Sequence, residues 1–88
     1  MRYMIQSSHT PEECLMALDE QLAKGKDILS AFSYGCKSGD HTGYAFVEAK
    51  NETEARNWVP SFLLNKARIV QVDVYTPEVI KSFHAKAA

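Results

Sequence analysis

The chain has 88 residues, 45% of them hydrophobic, and its 10 basic and 11 acidic residues give a formal net charge of −1. A chain of this length predicts a single domain over residues 1–88 whose own core is modest, so that a second subunit would add stability. The balanced charge argues against a nucleic-acid-binding protein, since proteins of that class carry a basic face.

The N-terminal part of the chain predicts a strand followed by a well-capped helix. Residues 3–8 are typical of a strand, and Thr10 is a candidate N-cap. Pro11 suits the first helical position, and the Glu13 side chain can accept a hydrogen bond from the amide of the cap residue. Leucines then recur at helical spacing until Gly25, where we expect the helix to end.

A β-hairpin is predicted next, with strands at residues 28–36 and 42–49. The segment between them, residues 37–41, is polar and contains glycine, which suits a hairpin turn. We expect Cys36 to lie opposite Thr42, and this position sets the register of the whole hairpin.

That register predicts an aromatic face on the hairpin. Tyr34 would lie opposite Tyr44 and Phe32 opposite Phe46, while small residues would occupy the other face and let helices approach closely. A bare aromatic face would be a large apolar patch for a soluble monomer. We therefore expect a homodimer interface made of Tyr3, Phe32, Tyr44 and Phe46.

The C-terminal half predicts a second helix, a fourth strand and a short terminal helix. Asn51 is the expected cap of the second helix, and Pro60 should kink or end it. Alternation over residues 67–75 is typical of a strand. Thr76 caps a last helix that reaches about His84, and the remaining residues are expected to fray.

This order of elements predicts an α+β, ferredoxin-like fold. The pattern is β-α-β-β-α-β with a short C-terminal helix, which gives a four-stranded antiparallel sheet with two helices on one face. The N-terminus lacks a signal-peptide pattern, and no apolar run has membrane-spanning length. We expect a cytoplasmic protein that contacts no membrane and keeps its two thiols reduced.

The chain resembles the small proteins of the dimeric α/β-barrel superfamily. The resemblance lies in the order and pattern of the elements and not in a catalytic motif. It rests on the capped helix after Pro11, the turn at residues 39–43, the strand segment 44–48, the helix with Trp58 and the strand at 70–74. It implies a homodimer in which two sheets face each other and close a barrel. Some members are cofactor-independent monooxygenases, isomerases or haem enzymes, but the chain shows no residue set that carries one of these chemistries, and we expect no cofactor.

A second resemblance is to RNA recognition motifs, which share the order of elements. Residues 43–49 are similar to the third-strand signature of that family, in which Tyr44 and Phe46 would stack on bases. Thr42 stands at the usual basic position, and the acidic charge balance also argues against RNA. Single-stranded RNA binding is therefore an alternative to the dimer.

Five residues are candidates for a ligand site in the cleft between helix and sheet: His9, Tyr34, Cys36, His41 and Trp58. In dimeric barrels, ligands often occupy this cleft, so the resemblance implies a small, partly aromatic ligand. An enzyme would need several of these groups to converge on one cavity with perturbed pKa values. The favoured interpretation is a small homodimeric binding domain without a catalytic motif, with a small-molecule enzyme as an alternative.

Metal binding has weaker support in the sequence. Cys36 and His41 flank the hairpin turn around Asp40, and all three are metal-ligand types. Their spacing matches no established zinc pattern, and a tetrahedral site would need His9 or His84 to come near. Cys14 lies beside the apolar stripe of the first helix, where core packing is expected. We therefore expect no metal.

Overall fold

The protein is described here by a computed structural model that covers residues 1–87. Its strands and helices follow one another in this order: β1 Arg2–Ser8, α1 Cys14–Lys24, α2 Lys26–Ala31, β2 Ser33–Tyr34, β3 Thr42–Glu48, α3 Glu52–Arg56, β4 Arg68–Val72 and α4 Pro77–Ala87. Short 3₁₀ turns occupy Pro11–Glu13, Cys36–Ser38 and Ser61–Lys66. Residue 88, part of the tail expected to fray, lies outside the described residues.

The four strands form one antiparallel sheet with the order β2-β3-β1-β4. The predicted α+β class and four-stranded antiparallel sheet are confirmed, and the arrangement is compatible with a ferredoxin-like fold. Among the described residues, no helix is long and apolar enough to cross a membrane.

Local capping chemistry places the first and third helices where the sequence predicts them. Thr10 and Glu13 form a complete capping box ahead of α1, and Gly25 ends that helix. The Asn51 side chain accepts a hydrogen bond from the Glu54 amide at the start of α3. Helix α3 ends before Pro60, as expected from the missing amide and the ring clash of proline.

The core lies between the helices and one face of the sheet. Alternate residues of β1 and β3 point inward, so their burial has the two-residue period of a half-covered sheet. Ile5, Val59 and Leu63 are almost completely inaccessible. The buried apolar cluster consists of Tyr3, Ile5, Ala17, Phe32, Ala45, Val47, Ala49, Ala55, Val59 and Leu63.

The predicted hairpin is wrong in its first strand and in its register. Residues 26–31 form helix α2, and β2 contains only Ser33 and Tyr34. The amide of Gly35, rather than that of Cys36, donates to the Thr42 carbonyl, because Cys36 begins a 3₁₀ turn that Gly39 closes in a left-handed conformation at φ 89°. A shift of one residue moves every side chain of a strand to the other face.

The predicted aromatic face is consequently divided between the two sides of the sheet. Tyr3 and Phe32 are buried in the core with exposures of 5% and 6%, so they are not available for the dimer interface predicted for them. Tyr44 and Phe46 lie on the opposite, outer face, and Phe46 is 59% exposed. Tyr34 faces inward beside Gly43.

We expect Gly43→Ala to destabilise the fold, because a Cβ at this position would lie 3.1 Å from the Tyr34 ring and 3.2 Å from the Phe32 ring. Overpacking of this kind costs about 1–2 kcal/mol, after the gain from a less flexible unfolded chain. Thermal unfolding should show a Tm lower by several degrees. Ser33→Ala, at an exposed position of the same hairpin, is the control, and an unchanged Tm for Gly43→Ala would contradict the observed register.

Candidate metal centre

Four side chains with metal-binding atoms meet at one end of the sheet. His9 follows β1, Cys14 opens α1, Cys36 opens the turn after β2, and His41 precedes β3. One ligand atom from each residue lies within 4.8 Å of the corresponding atoms of the other three. Two segments that are distant in the sequence each contribute one cysteine and one histidine to this cluster, here named the Cys₂His₂ cluster.

Two distances within the Cys₂His₂ cluster are close to those of a tetrahedral metal site, and every pair of its ligand atoms lies within 4.8 Å. Cys14 Sγ lies 3.6 Å from Cys36 Sγ, and Cys36 Sγ lies 3.4 Å from His9 Nε2. With Zn–S near 2.3 Å and Zn–N near 2.0–2.1 Å, a regular tetrahedron separates two sulfur ligands by about 3.8 Å and a sulfur from a nitrogen by about 3.5 Å. These two distances therefore match the spacing of ligand atoms around a zinc-sized ion.

The backbone fixes both histidines. Strands β1 and β3 are paired up to Ser8 and Thr42. The Ser8 Oγ and Thr42 Oγ1 atoms lie 3.2 Å apart. Just beyond this pair, the His9 amide donates to the His41 carbonyl at 3.0 Å. The two imidazoles consequently meet edge to face, with ring centroids 5.5 Å apart.

The cysteines are held by a helix start and by a tight turn. The capping box ahead of α1 places Cys14 in the first α-helical turn. Cys36 follows Gly35, where a Cβ would lie only 2.8 Å from the Asp40 carbonyl oxygen, so the turn closes tightly because position 35 has no side chain. The Tyr44 hydroxyl donates to the Asp40 carboxylate and ties the far side of the turn to β3.

One ring nitrogen in the cluster lacks a partner. His41 Nδ1 is buried and makes no hydrogen bond to any of the described residues. A buried polar atom without a partner costs about 1–3 kcal/mol.

The electrostatics of the cluster favour neutral groups when no cation is bound. Burial lowers the pKa of His9, and the neighbouring His41 acts in the same direction. Burial raises the pKa of the Cys36 thiol, and the hydrogen bond from Cys14 adds to this effect. A divalent cation would reverse the preference of the thiols, because metal coordination requires thiolates.

The predicted ligand residues are only partly brought together. His9, Cys36 and His41 share the cluster, and Tyr34 lies with His9 at a neighbouring cavity between helices and sheet. Trp58 is outside both sets, and its carbonyl accepts a hydrogen bond from Gln21 Nε2 at 2.7 Å. Burial raises the pKa of Tyr34.

The neighbouring cavity is small, and its lining is mainly apolar with a few polar atoms. It leaves about 10 Å³ for the centre of a water molecule, which corresponds to room for about one water. Ser7 Oγ, Gln21 Oε1 and Tyr34 Oη on its lining residues are buried and find no partner among the described residues. The partly aromatic ligand predicted for this cleft needs much more space than this cavity provides.

Sequence reasoning missed Cys14, which it assigned to the core. The spacing contains a usable signal, because His9 and Cys14 are separated by four residues and so are Cys36 and His41. The two pairs occur in opposite order, as His-x₄-Cys and Cys-x₄-His. His84, the other histidine considered as a ligand, is exposed on α4 and does not belong to the cluster.

Comparisons of the chain with protein-family models, with curated proteins and with solved structures found no match. The function proposed for this chain therefore comes from its own residues.

Proposed function

We propose that this domain binds one zinc-type transition-metal ion through His9, Cys14, Cys36 and His41. The observation that supports it is the convergence of two thiols and two imidazoles, whose ligand atoms all lie within 4.8 Å of one another, with the Cys14–Cys36 and Cys36–His9 distances near tetrahedral values. His41 Nδ1, in one of the four residues, is buried and has no hydrogen-bond partner among the described residues, which also supports a further ligand here.

The donor set determines the class of metal. Thiolate and imidazole ligands in a tetrahedral set suit Zn²⁺, whereas Mg²⁺ and Ca²⁺ prefer oxygen ligands at higher coordination number. The cluster contains no carboxylate among its four residues. Zn²⁺ is the first candidate, and Co²⁺ is a spectroscopic substitute that accepts the same geometry.

A four-residue donor set points to a structural ion. Catalytic zinc sites keep one coordination position open for water or substrate, while structural sites use four protein ligands. The ion would link the segment between β1 and the start of α1, through His9 and Cys14, to the turn between β2 and β3, through Cys36 and His41. A domain of 88 residues has a modest core, so the free energy of metal binding would contribute directly to folding.

The alternative of a thiol enzyme has less support. A nucleophilic cysteine needs a thiolate, which an adjacent base or a lowered pKa provides. Here burial raises the pKa of Cys36, and Cys14 donates to its sulfur. The same features suit a pair of thiols whose protons pass to solvent when a metal ion binds to the sulfur atoms.

Cobalt binding tests the ligand set. We expect Co²⁺ added to the reduced, metal-free protein to give intense visible d–d bands and a thiolate charge-transfer band at one equivalent. Cys14→Ser and Cys36→Ser should abolish or strongly weaken both features, because each removes a soft ligand. His84→Ala, which changes the exposed histidine on α4, is the matched control. Weak octahedral bands, or bands unchanged in both cysteine variants, would contradict the proposal.

Zinc should also stabilise the fold. At a free Zn²⁺ concentration about 100 times Kd, linkage predicts a gain of about 2.7 kcal/mol in the free energy of unfolding. For a domain of this size, Tm should rise by roughly 10–20 °C and should return to its original value after chelation. Cys14→Ser should lose this shift and His84→Ala should keep it. An equal shift in both variants would locate the zinc elsewhere.

Zinc binding should release protons. Metal coordination requires both cysteines as thiolates, and burial raises the pKa of Cys36, whereas burial lowers the pKa of His9 and so favours the neutral ring that a metal binds. About two protons should therefore leave per Zn²⁺, and affinity should rise with pH. Calorimetric titration in buffers of different ionisation enthalpy measures this number, and a value near zero would exclude the thiols as ligands.

A further inference from the structure

Helix α4 extends away from the rest of the domain. The molecule measures 53 × 27 × 22 Å, and its radius of gyration is 16.0 Å. A compact chain of this length has a radius of gyration of about 12 Å. From Pro77 to Lys86, no residue is buried. The helix therefore forms an arm rather than a layer of the fold.

The arm has an apolar side. Val79 and Ile80 each lie one turn before Phe83 on the helix, and Ile80 and Phe83 are 46% and 49% exposed. Tyr75, in the segment leading to the arm, contacts the Phe83 ring edge to face at a centroid distance of 5.5 Å. A helix with such a stripe is stable in a protein when the stripe is covered.

The outer face of the sheet carries an apolar row between polar and charged residues. Met4 pairs with Phe46 on one side and with Val70 on the other, which makes a row across three strands. Phe46 is 59% exposed and Tyr44 is 38% exposed, and the Arg2 guanidinium lies 5.1 Å from the Phe46 ring centre. The helices of the core cover the opposite face, so this row lacks a cover within the described chain.

The excess of exposed surface has the size of one half of an interface. The chain exposes 6054 Å². A folded monomer of this mass, 9.9 kDa, is expected to expose about 5,200 Å². The difference, roughly 850 Å², is close to the approximately 800 Å² that each partner buries in a standard interface.

We infer that two copies of this chain associate by exchanging α4, so that the apolar side of each arm lies across the outer sheet face of the other copy. Each copy carries both an apolar arm and an apolar acceptor face, and a two-fold axis buries all four surfaces at once. The exchange uses the sheet face opposite the core, and it is independent of the Cys₂His₂ cluster.

The first measurement is solution mass by light scattering during gel filtration, over a concentration series. The native chain should be a dimer. Phe46→Glu on the sheet and Phe83→Glu on the arm should each give monomers that keep their far-ultraviolet circular dichroism and still bind Co²⁺. Leu22→Glu on α1 is the matched control, because Leu22 is exposed to a similar degree, 52%, and it should remain dimeric.

Mixing the two variants tests the exchange itself. A Phe46→Glu chain has an intact arm and a Phe83→Glu chain has an intact sheet face, so a one-to-one mixture restores one arm-on-sheet contact and should form a heterodimer. Two sheets packed directly face to face would give no such rescue, and Phe83→Glu would then leave the dimer unchanged.

Three results would overturn the inference: a monomeric native chain, a dimer insensitive to Phe83→Glu, or failure of the mixture to associate. A monomer that binds single-stranded RNA and loses affinity in Tyr44→Ala would assign the outer face to nucleic acid instead.

Discussion

The antiparallel pairing of β1 with β3 is the constraint from which the site follows. It runs from Arg2 opposite Glu48 to Ser8 opposite Thr42, and the His9 amide extends it by one more bond to the His41 carbonyl. Two histidines that are 32 positions apart in the sequence thereby meet at the end of the sheet. The same pairing separates the inward side chains, which make the core, from the outward ones, which make the open face.

The cysteines approach this pair of histidines from two directions. The capping box at Thr10 and Glu13 starts α1 soon after β1 ends. Cys14 therefore lies close to His9, which follows that strand. The turn after β2 closes tightly at Gly35, so Cys36 lies close to His41, which precedes β3. The proposed metal ion would link the segment after β1 to the turn after β2 at the point where these four side chains meet.

The parts of the fold that depend on local chemistry could be predicted from the sequence. The caps at Thr10 and Asn51, the stop before Pro60 and the alternation of β3 each rest on a few neighbouring residues, and each is present in the structure. The hairpin register could not be predicted, because it depends on whether Gly35 or Cys36 enters the turn. This difference of one residue decides which rings are in the core.

The site was harder to predict than the fold for a related reason. In the sequence, Cys14 lies beside a stripe of leucines, and this position predicts a packing residue. The two sulfur atoms lie 3.6 Å apart only because the fold brings the turn at Cys36 next to the start of α1. The mirrored intervals of His9 with Cys14 and of Cys36 with His41 are visible in the sequence, but they acquire meaning only when β1 and β3 are known to be neighbours.

X-ray absorption at the zinc edge, on the protein loaded with one equivalent of Zn²⁺, tests the proposed centre most directly. We expect a four-coordinate shell with two sulfur atoms near 2.3 Å and two nitrogen atoms near 2.0–2.1 Å. A shell of oxygen and nitrogen without sulfur, or one with six ligands, would show that the four side chains do not form a metal centre.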